Sequence, residues 1–189
     1  RCPQRHSFDV AREGYVNLLP VQQKKSKDPG DNQLMMQARR HFLQAGWYQP
    51  VVSVLLEQLA VLPVTRLLDL GCGEGYYSNR LTQALADKEL KLYGLDIAKT
   101  AIKKAAKSYP AIQFCVASAW HLPFADQSFD AALKLCAPCE PQELARVLKT
   151  DGLLLAAVLT ALAEDLGTGQ ATGFDVSHIV PGRLGRRPE

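Results

Sequence analysis

Apolar and polar positions follow two different periods along the middle of the chain. Short apolar runs predict buried strands at residues 64–70, 90–95, 112–117, 129–135 and 152–159. Elsewhere the apolar positions recur every three to four residues, which predicts helices at residues 76–86, 98–108 and 141–149. Strands that alternate with helices through right-handed crossovers form a parallel sheet that binds ligands at the carboxyl ends of its strands. We therefore expect a Rossmann-like, doubly wound α/β fold with strand order 3-2-1-4-5.

The N-terminal part of the chain carries weaker patterns. Residues 14–20 favour a brief extended segment. A charged loop leads to a helix that Asp31 or Asn32 is expected to cap and that ends near Gly46. The apolar positions of this helix at helical spacing are Leu34, Met35, Ala38 and Phe42. A second helix, at about residues 50–62, has proline in its first turn and again just after its end.

A glycine-rich loop carries the most specific chemical signal. The first predicted strand contains Asp69 and runs directly into Gly71, Gly73 and Gly75, where the missing side chains allow a tight turn and a close approach by a ligand. This spacing differs from the G-x-G-x-x-G of dinucleotide-binding proteins. The second strand ends in Asp96, whose carboxylate can accept hydrogen bonds from both hydroxyls of a ribose. The combination resembles the S-adenosylmethionine (SAM) site of class I methyltransferases.

Composition agrees with one α/β domain. The chain has 189 residues, of which 47% are hydrophobic, enough for one full core and too few for two substantial domains. Its five cysteines are odd in number and scattered, which is typical of reduced thiols. No apolar run approaches the length that spans a bilayer, and no signal peptide opens the sequence. We expect a cytoplasmic protein that does not bind a membrane.

Charge is unevenly distributed. The net charge is +3, but residues 1–48 hold eight basic and four acidic side chains. The helix at residues 98–108 exposes four lysines and buries small apolar residues; these are Lys99, Lys103, Lys104 and Lys107, and Ala101, Ile102, Ala105 and Ala106. A basic N-terminal third is compatible with a polyanionic substrate, and a solvated surface explains the same charges.

Motifs outside the glycine loop resemble a more specific family, the bacterial 23S rRNA (guanine-N1)-methyltransferases. The matching segments are Cys2 to Pro20, Asp28-Pro29-Gly30-Asp31, Met36 to Arg40, Cys115 to Ser118, Leu122-Pro123-Phe124, Ala137-Pro138-Cys139 and Glu143 to Val147. The resemblance covers about residues 2–155. It implies an enzyme with a small N-terminal zinc module that uses SAM and methylates N1 of a guanine. That guanine belongs to a stem-loop of 23S rRNA lining the peptide exit tunnel.

The sequence departs from this family at both ends. The family holds zinc with a C-x-x-C pair followed by a Cys and a His, and only Cys2 and His6 are present here. Two ligands do not close a tetrahedral site, so we expect no firmly bound zinc. Residues 160–189 contain no pair of alternating apolar runs, so we expect an irregular tail without the hairpin that ends a class I sheet. The chain therefore resembles a version truncated at both ends, and strand 152–159 becomes an apolar edge.

These expectations divide the chain into three parts and assign the cofactor site. Residues 1–30 are a remnant of the zinc-binding, RNA-contacting segment, 31–159 the SAM-binding methyltransferase domain, and 160–189 the tail. By resemblance, Glu74 contacts the cofactor, Tyr48 closes over it, and Ala117 with Ser118 meets the adenine. The complete predicted cofactor set is Tyr48, Asp69, Gly71, Gly73, Glu74, Gly75, Asp96, Ala117 and Ser118, with Cys2 and His6 as the incomplete zinc site.

The acceptor side is less well defined. Removal of the guanine N1 proton invites a general base, and Asp9, Glu13 and Glu140 remain equal candidates. The segment 136–139 has the spacing of a redox C-x-P-C pair, but it ends a strand instead of opening a helix, so it is better interpreted as part of the acceptor pocket. His121 is either a ligand contact or a packed side chain.

Three functions remain open from the sequence. The leading one is methylation of 23S rRNA. A small-molecule methyltransferase of the quinone-biosynthesis type would share the SAM core, but it has no need of residues 2–20 or the basic N-terminal third. A truncated, non-catalytic remnant is the third. The sequence leaves open whether the chain forms a homodimer, which guanine it modifies and whether this form is active.

Overall fold

A computed structural model describes residues 7–19, 33–135 and 137–157 of the chain. The described strands are β1 (Val16–Asn17), β2 (Arg66–Leu70), β3 (Lys91–Asp96), β4 (Gln113–Val116), β5 (Phe129–Leu135) and β6 (Leu148–Ala157). The described helices are α1 (Gln33–Gln44), α2 (Gln49–Ala60), α3 (Tyr76–Ala84), α4 (Lys99–Ser108) and α5 (Pro141–Val147). All five long strands and all five helices were predicted, with boundaries shifted by a few residues.

The described strands form one sheet in the order β1-β4-β3-β2-β5-β6, and every neighbouring pair is parallel. The five long strands, β2 to β6, therefore have the predicted order 3-2-1-4-5. The sequence did not predict that the extended segment at Val16 adds a sixth strand. It pairs Val16 with Cys115 and Asn17 with Val116 at the β4 edge.

Two apolar layers enclose the sheet, as expected for a doubly wound fold. On one face, α2, α3 and α4 contribute buried side chains such as Leu55, Leu81 and Ile102. On the other face, Leu144 and Val147 of α5 pack with Phe129 and its neighbours. The residues predicted to be buried in α4 are buried, namely Ala101, Ile102, Ala105 and Ala106. Helices on both faces therefore fix the position of the sheet, and its parallel strands all have their carboxyl ends at the same edge.

Two local details differ from the sequence patterns. The helix predicted from the spacing of Leu34, Met35 and Phe42 is present as α1, but these three side chains are exposed. Met36 is the buried residue of α1 and packs against Ala98 and Ala101. The last strand also begins earlier than predicted, at Leu148, because α5 ends at Val147 and the chain enters the sheet without a separate loop.

Several expectations fall on residues that the structure does not describe. They concern the zinc-ligand candidates Cys2 and His6, the helix caps Asp31 and Asn32, Cys136, and the tail at residues 160–189 with its missing hairpin. Within the described part of the chain, no helix has the length and apolar character needed to cross a membrane. Within the same ranges, no group of three or more His, Cys, Asp or Glu side chains could hold a metal ion.

Candidate functional site

A cavity of about 1030 Å³ lies at the carboxyl ends of the central strands. Its wall includes the loops that follow β2, β3, β4 and β5, together with α1 and Tyr48, which precedes α2. Ligands of doubly wound folds bind at this edge of the sheet. Seven of the nine predicted cofactor residues line it: Tyr48, Asp69, Gly71, Gly73, Glu74, Asp96 and Ser118.

The loop after β2 requires glycine for both conformation and space. Gly71, Gly73 and Gly75 have φ of +70°, +55° and +79°, a left-handed region that other residues rarely adopt. A Cβ on Gly71 would lie 2.5 Å from the Cβ of Ala137, whereas a Cβ on Gly73 would meet nothing within 4 Å. Gly73 is therefore the position where the backbone lies open for a ligand to approach.

Asp96 ties the end of β3 to this glycine loop. Its Oδ2 accepts a hydrogen bond from the Gly73 N–H at 2.9 Å, and its Oδ1 accepts one from the Ala98 N–H at 2.8 Å. The second bond supports the start of α4. A carboxylate oxygen accepts more than one hydrogen bond, which leaves the geometry compatible with the predicted ribose contact.

Asp69 is the buried acid of the site. Only 2% of the residue is exposed, and its Oδ2 accepts a 2.5 Å hydrogen bond from the Ser78 hydroxyl in α3. Burial raises the pKa of Asp69 to about 7, which the nearby Asp96 charge reinforces and the Ser78 hydrogen bond opposes. The Asp69–Ser78 bond fixes α3 to β2 and so orients the glycine loop that joins them.

Glu74 is held from two helices at once. Arg40 of α1 donates to Glu74 Oε2 from Nε at 2.5 Å and also forms an ion pair with it through Nη2. Lys104 of α4 donates to Glu74 Oε1 at 2.9 Å. The three side chains all line the cavity, so Glu74 connects α1, the glycine loop and α4 around it. Neither cation was predicted as a site residue, because only the fold brings them to Glu74.

Two predicted cofactor residues do not line the cavity. Ala117 is buried, and its N–H donates to the Asp96 carbonyl at 3.1 Å. Gly75 directly precedes α3, and a Cβ there would lie 3.1 Å from side-chain atoms of Phe114 and Tyr109. Both residues therefore shape the wall from behind, while Ser118 reaches the cavity and accepts a hydrogen bond from the Trp120 N–H through its hydroxyl.

None of the three carboxylates considered as a general base lines the cavity. Asp9 is exposed, Glu13 forms an ion pair with Lys103 at 3.3 Å, and Glu140 accepts a hydrogen bond from the Gln142 N–H at the start of α5. His121 is also exposed and outside the cavity wall. Cavity-lining positions that were not predicted from the sequence include Tyr76 and the half-exposed Trp120.

The described thiols have the character of packing residues. Burial raises the pKa of Cys72 well above its ordinary value and raises the pKa of Cys115 to about 12. Burial also raises the pKa of Cys139, whereas a reactive redox thiol has a lowered pKa. Ala137 and Pro138, between the two cysteines of the C-x-P-C segment, line the cavity next to Gly71, as expected for a pocket wall.

Comparison with protein families matches two parts of the chain. Residues 1–27 match the model described as "RlmA, N-terminal", a zinc ribbon, and residues 67–152 match the model described as "Methyltransferase domain". The second match runs from β2 to the middle of β6 and contains the glycine loop and Asp96.

Curated relatives point to one activity. The 23S rRNA (guanine(748)-N(1))-methyltransferase of Streptomyces fradiae is 36% identical over 82% of this chain and 55% of its own length. A Bacillus subtilis protein with the provisional name 23S rRNA (guanine-N(1)-)-methyltransferase YxjB is 32% identical over 83% of this chain and 57% of its own length. The chain thus spans somewhat more than half the length of these relatives.

Solved structures show the same fold at lower identity. A provisionally named SAM-dependent methyltransferase from Methanococcus maripaludis has a TM-score of 0.56 and 16% identity, covering 70% of this chain and 67% of that one. A chain in the complex between the Haloferax volcanii Trm112 methyltransferase activator and its provisionally named methyltransferase has a TM-score of 0.53 and 24% identity. This match covers 71% of this chain and 62% of the chain in the complex.

The strand order, the glycine loop and the acid at the end of β3 define a class I SAM-dependent methyltransferase fold. Within that class, the chain is related to the bacterial 23S rRNA (guanine-N1)-methyltransferases, as its sequence motifs indicated.

Proposed function

We propose that this chain carries the SAM-binding part of an enzyme that methylates N1 of a guanine in a stem-loop of 23S rRNA lining the peptide exit tunnel. The main support is the hydrogen bond from the Gly73 N–H to Asp96, which joins the glycine loop to the acid that we expect to bind the ribose, in one cavity. The relatives at 32–36% identity carry N1 methylation of a 23S rRNA guanine in their names. An rRNA substrate implies a cytoplasmic protein.

The residues present fit the cofactor. Asp96 would hold the ribose hydroxyls, Ser118 would face the adenine, and Gly73 would let the cofactor lie against the backbone. Tyr48 lies on the same wall, in edge-to-face contact with Phe42 of α1 at 5.2 Å between ring centroids. When bound, SAM supplies an activated methyl group on a sulfonium centre.

The chain's own contribution to such a reaction is positioning. Methyl transfer requires the acceptor nitrogen in line with the methyl donor, and correct orientation can supply much of the acceleration. The adenine and ribose contacts over β4 and β3 leave the β2 and β5 ends for the methyl group and its acceptor. Leu135, Ala137 and Pro138 at the β5 end would then form the floor of the acceptor pocket, and the guanine would leave its stack to enter it.

A test of this function uses rRNA from cells that lack the chain or express it. Mass-spectrometric mapping should find one guanine that carries an N1-methyl group only when the chain is expressed. The Asp96→Ala variant should lose that modification, while Asp87→Ala, which changes an exposed aspartate outside the cavity, should keep it.

Three outcomes separate the functions considered. A methylated guanine that depends on Asp96 supports rRNA methylation. Unchanged rRNA together with SAM-dependent methylation of a small molecule in cell extract would instead support a small-molecule methyltransferase. No transfer to either substrate would identify the chain as a non-catalytic remnant and would contradict the proposal.

A further inference from the structure

Arginine and lysine side chains are concentrated on two of the described helices, α1 and α4. Neither helix contains an aspartate or a glutamate, whereas α2, α3 and α5 carry at most one arginine or lysine each. A surface that only has to stay hydrated needs no particular sign of charge, but a surface for an anionic partner does. The six side chains are Arg39, Arg40, Lys99, Lys103, Lys104 and Lys107.

The fold brings these two helices together beside the cavity. Met36 of α1 is buried against Ala98 and Ala101, where α4 begins. Arg40 of α1 and Lys104 of α4 both line the cavity wall. The six cations, which are far apart in sequence, therefore form one basic surface that borders the cavity. We call it the α1–α4 surface.

The acids of this surface lie beneath its cations. Glu74 pairs with Arg40 and Lys104, and Glu13 pairs with Lys103 at 3.3 Å. Only 17% of each of the two glutamate side chains is exposed, compared with 59% of the Lys103 side chain. Each ion pair therefore fixes a cation in place while its partner carboxylate stays largely covered. An approaching ligand would meet positive charge first.

A row of lysines extends this surface along α4. Lys99, Lys103 and Lys107 are four residues apart, so they share one face of the helix at intervals of about 6 Å along its axis. All three are exposed, and within the described residues neither Lys99 nor Lys107 forms an ion pair. A row of separate ammonium groups suits a partner with repeating negative charges, as in the phosphate backbone of a nucleic acid.

Exposed aromatic rings accompany the cations. Phe42 of α1 and Trp120, after β4, are about half exposed and line the cavity. Trp47, between α1 and α2, is also half exposed, and its ring stacks against that of Phe42 with centroids 6.4 Å apart. Unstacked bases of RNA bind to such rings, while its phosphates bind to neighbouring cations. A looped RNA supplies both kinds of group.

We propose that the α1–α4 surface holds the phosphate backbone of a looped RNA substrate, so that an unstacked base beside it reaches the cavity. The lysine row contacts phosphates outside the cavity and does not touch the cofactor. This role rests on the proposed function for the identity of the RNA. It assigns a binding role to lysines that the sequence left open between a solvated surface and a polyanion-binding one.

The test compares the Lys99→Gln/Lys107→Gln variant with the wild-type chain and with a control, Lys91→Gln/Gln113→Glu. Both double variants lower the net charge by two, from +3 to +1. Lys91 and Gln113 are exposed at the amino ends of β3 and β4, at the edge of the sheet opposite the cavity. Lys103 is left unchanged, which preserves its ion pair with Glu13.

Binding of a short fluorescein-labelled RNA stem-loop, with guanines in its loop, is followed by fluorescence anisotropy at several salt concentrations. At about 0.1 M salt, Lys99→Gln/Lys107→Gln should bind about 10- to 50-fold more weakly than wild type. The slope of log K against log salt concentration should become shallower by about 1.5, as expected for two lost phosphate contacts. The control should stay within about twofold of wild type.

Two further measurements separate an RNA-binding role from a structural one. SAM affinity and Tm of Lys99→Gln/Lys107→Gln should match wild type, because both lysines are exposed. Equal RNA affinity in this variant and wild type, an equal loss in the control, or a loss of SAM affinity would each overturn the inference. So would a wild-type chain that binds phosphatidylserine vesicles but not RNA, or neither. Lysine-dependent RNA binding without any N1-methylguanine formation would instead contradict the proposed function and support the α1–α4 surface.

Discussion

Two glycines in one loop offer a matched test of how the site is built. Gly71 and Gly73 have similar positive φ values, +70° and +55°, so an alanine at either position costs about 1–2 kcal/mol of backbone strain. Only the alanine at Gly71 would also collide, at 2.5 Å, with the Cβ of Ala137. Overpacking of this kind costs about 1–3 kcal/mol. Gly71→Ala should therefore lower the free energy of unfolding by about 2–5 kcal/mol, and Gly73→Ala by about 1–2 kcal/mol.

Urea unfolding followed by circular dichroism measures this difference. With an m-value of about 2 kcal/mol per M, the midpoint of Gly71→Ala should lie about 0.5–1.5 M below that of Gly73→Ala. SAM affinity should change in the opposite order. When both variants are measured as folded protein, Gly73→Ala should bind SAM more weakly than Gly71→Ala, because a Cβ on Gly73 points into the open cavity and would meet the cofactor. Equal midpoints, or a lower midpoint for Gly73→Ala, would refute the assignment of Gly71 as the close-packed position.

Three more predictions concern ionisation and metal binding. The pKa of Asp69 is raised from 3.8 to about 7, so its burial destabilises the folded chain increasingly as the pH rises between these values. Asp69→Asn should therefore be more stable than wild type by a margin that grows over this range to roughly 4 kcal/mol at most. Unfolding curves from pH 4 to 8 measure this difference. Burial alone would raise the pKa of Asp130. Hydrogen bonds from Lys149 and Thr65 outweigh this effect, so the pKa lies well below its ordinary value. Asp130→Asn should therefore lower the free energy of unfolding by its full amount at pH 7. This loss of stability should become smaller as the pH falls below about 3.8, which thermal unfolding at pH 7 and at lower pH can show. Elemental analysis of the purified chain should find much less than one zinc per chain, because Cys2 and His6 supply two of the four ligands; a stoichiometric content would contradict this.

The sheet could be predicted because its signals are local. Apolar runs and helical spacing each lie within a few residues, and right-handed crossovers then leave few strand orders to consider. The position of the candidate site could be predicted for the same reason. Gly73 lies just after β2 and Asp96 ends β3, and the apolar pattern marks the ends of both strands.

Long-range contacts were not predictable in this way. The two-residue strand at Val16 is too short to have a period of its own, and only its pairing with β4 defines it. The sequence left Arg40 and Lys104 open between a solvated surface and a polyanion-binding surface, because nothing local shows that α1 and α4 both reach Glu74. The exposed apolar side chains of α1 reveal the same limit: a helical period indicates a helix but does not say which side of it faces the core.

The central claim is that the loop at Gly73 and the acid at Asp96 form a SAM site. Calorimetric titration of the chain with SAM, and separately with NADH, tests it most directly. SAM should bind and NADH should not, and Asp96→Ala should weaken SAM binding about ten- to hundredfold, the effect of losing hydrogen bonds to a charged group. Binding of NADH without SAM, or an Asp96→Ala variant that binds SAM as tightly as wild type, would contradict the account.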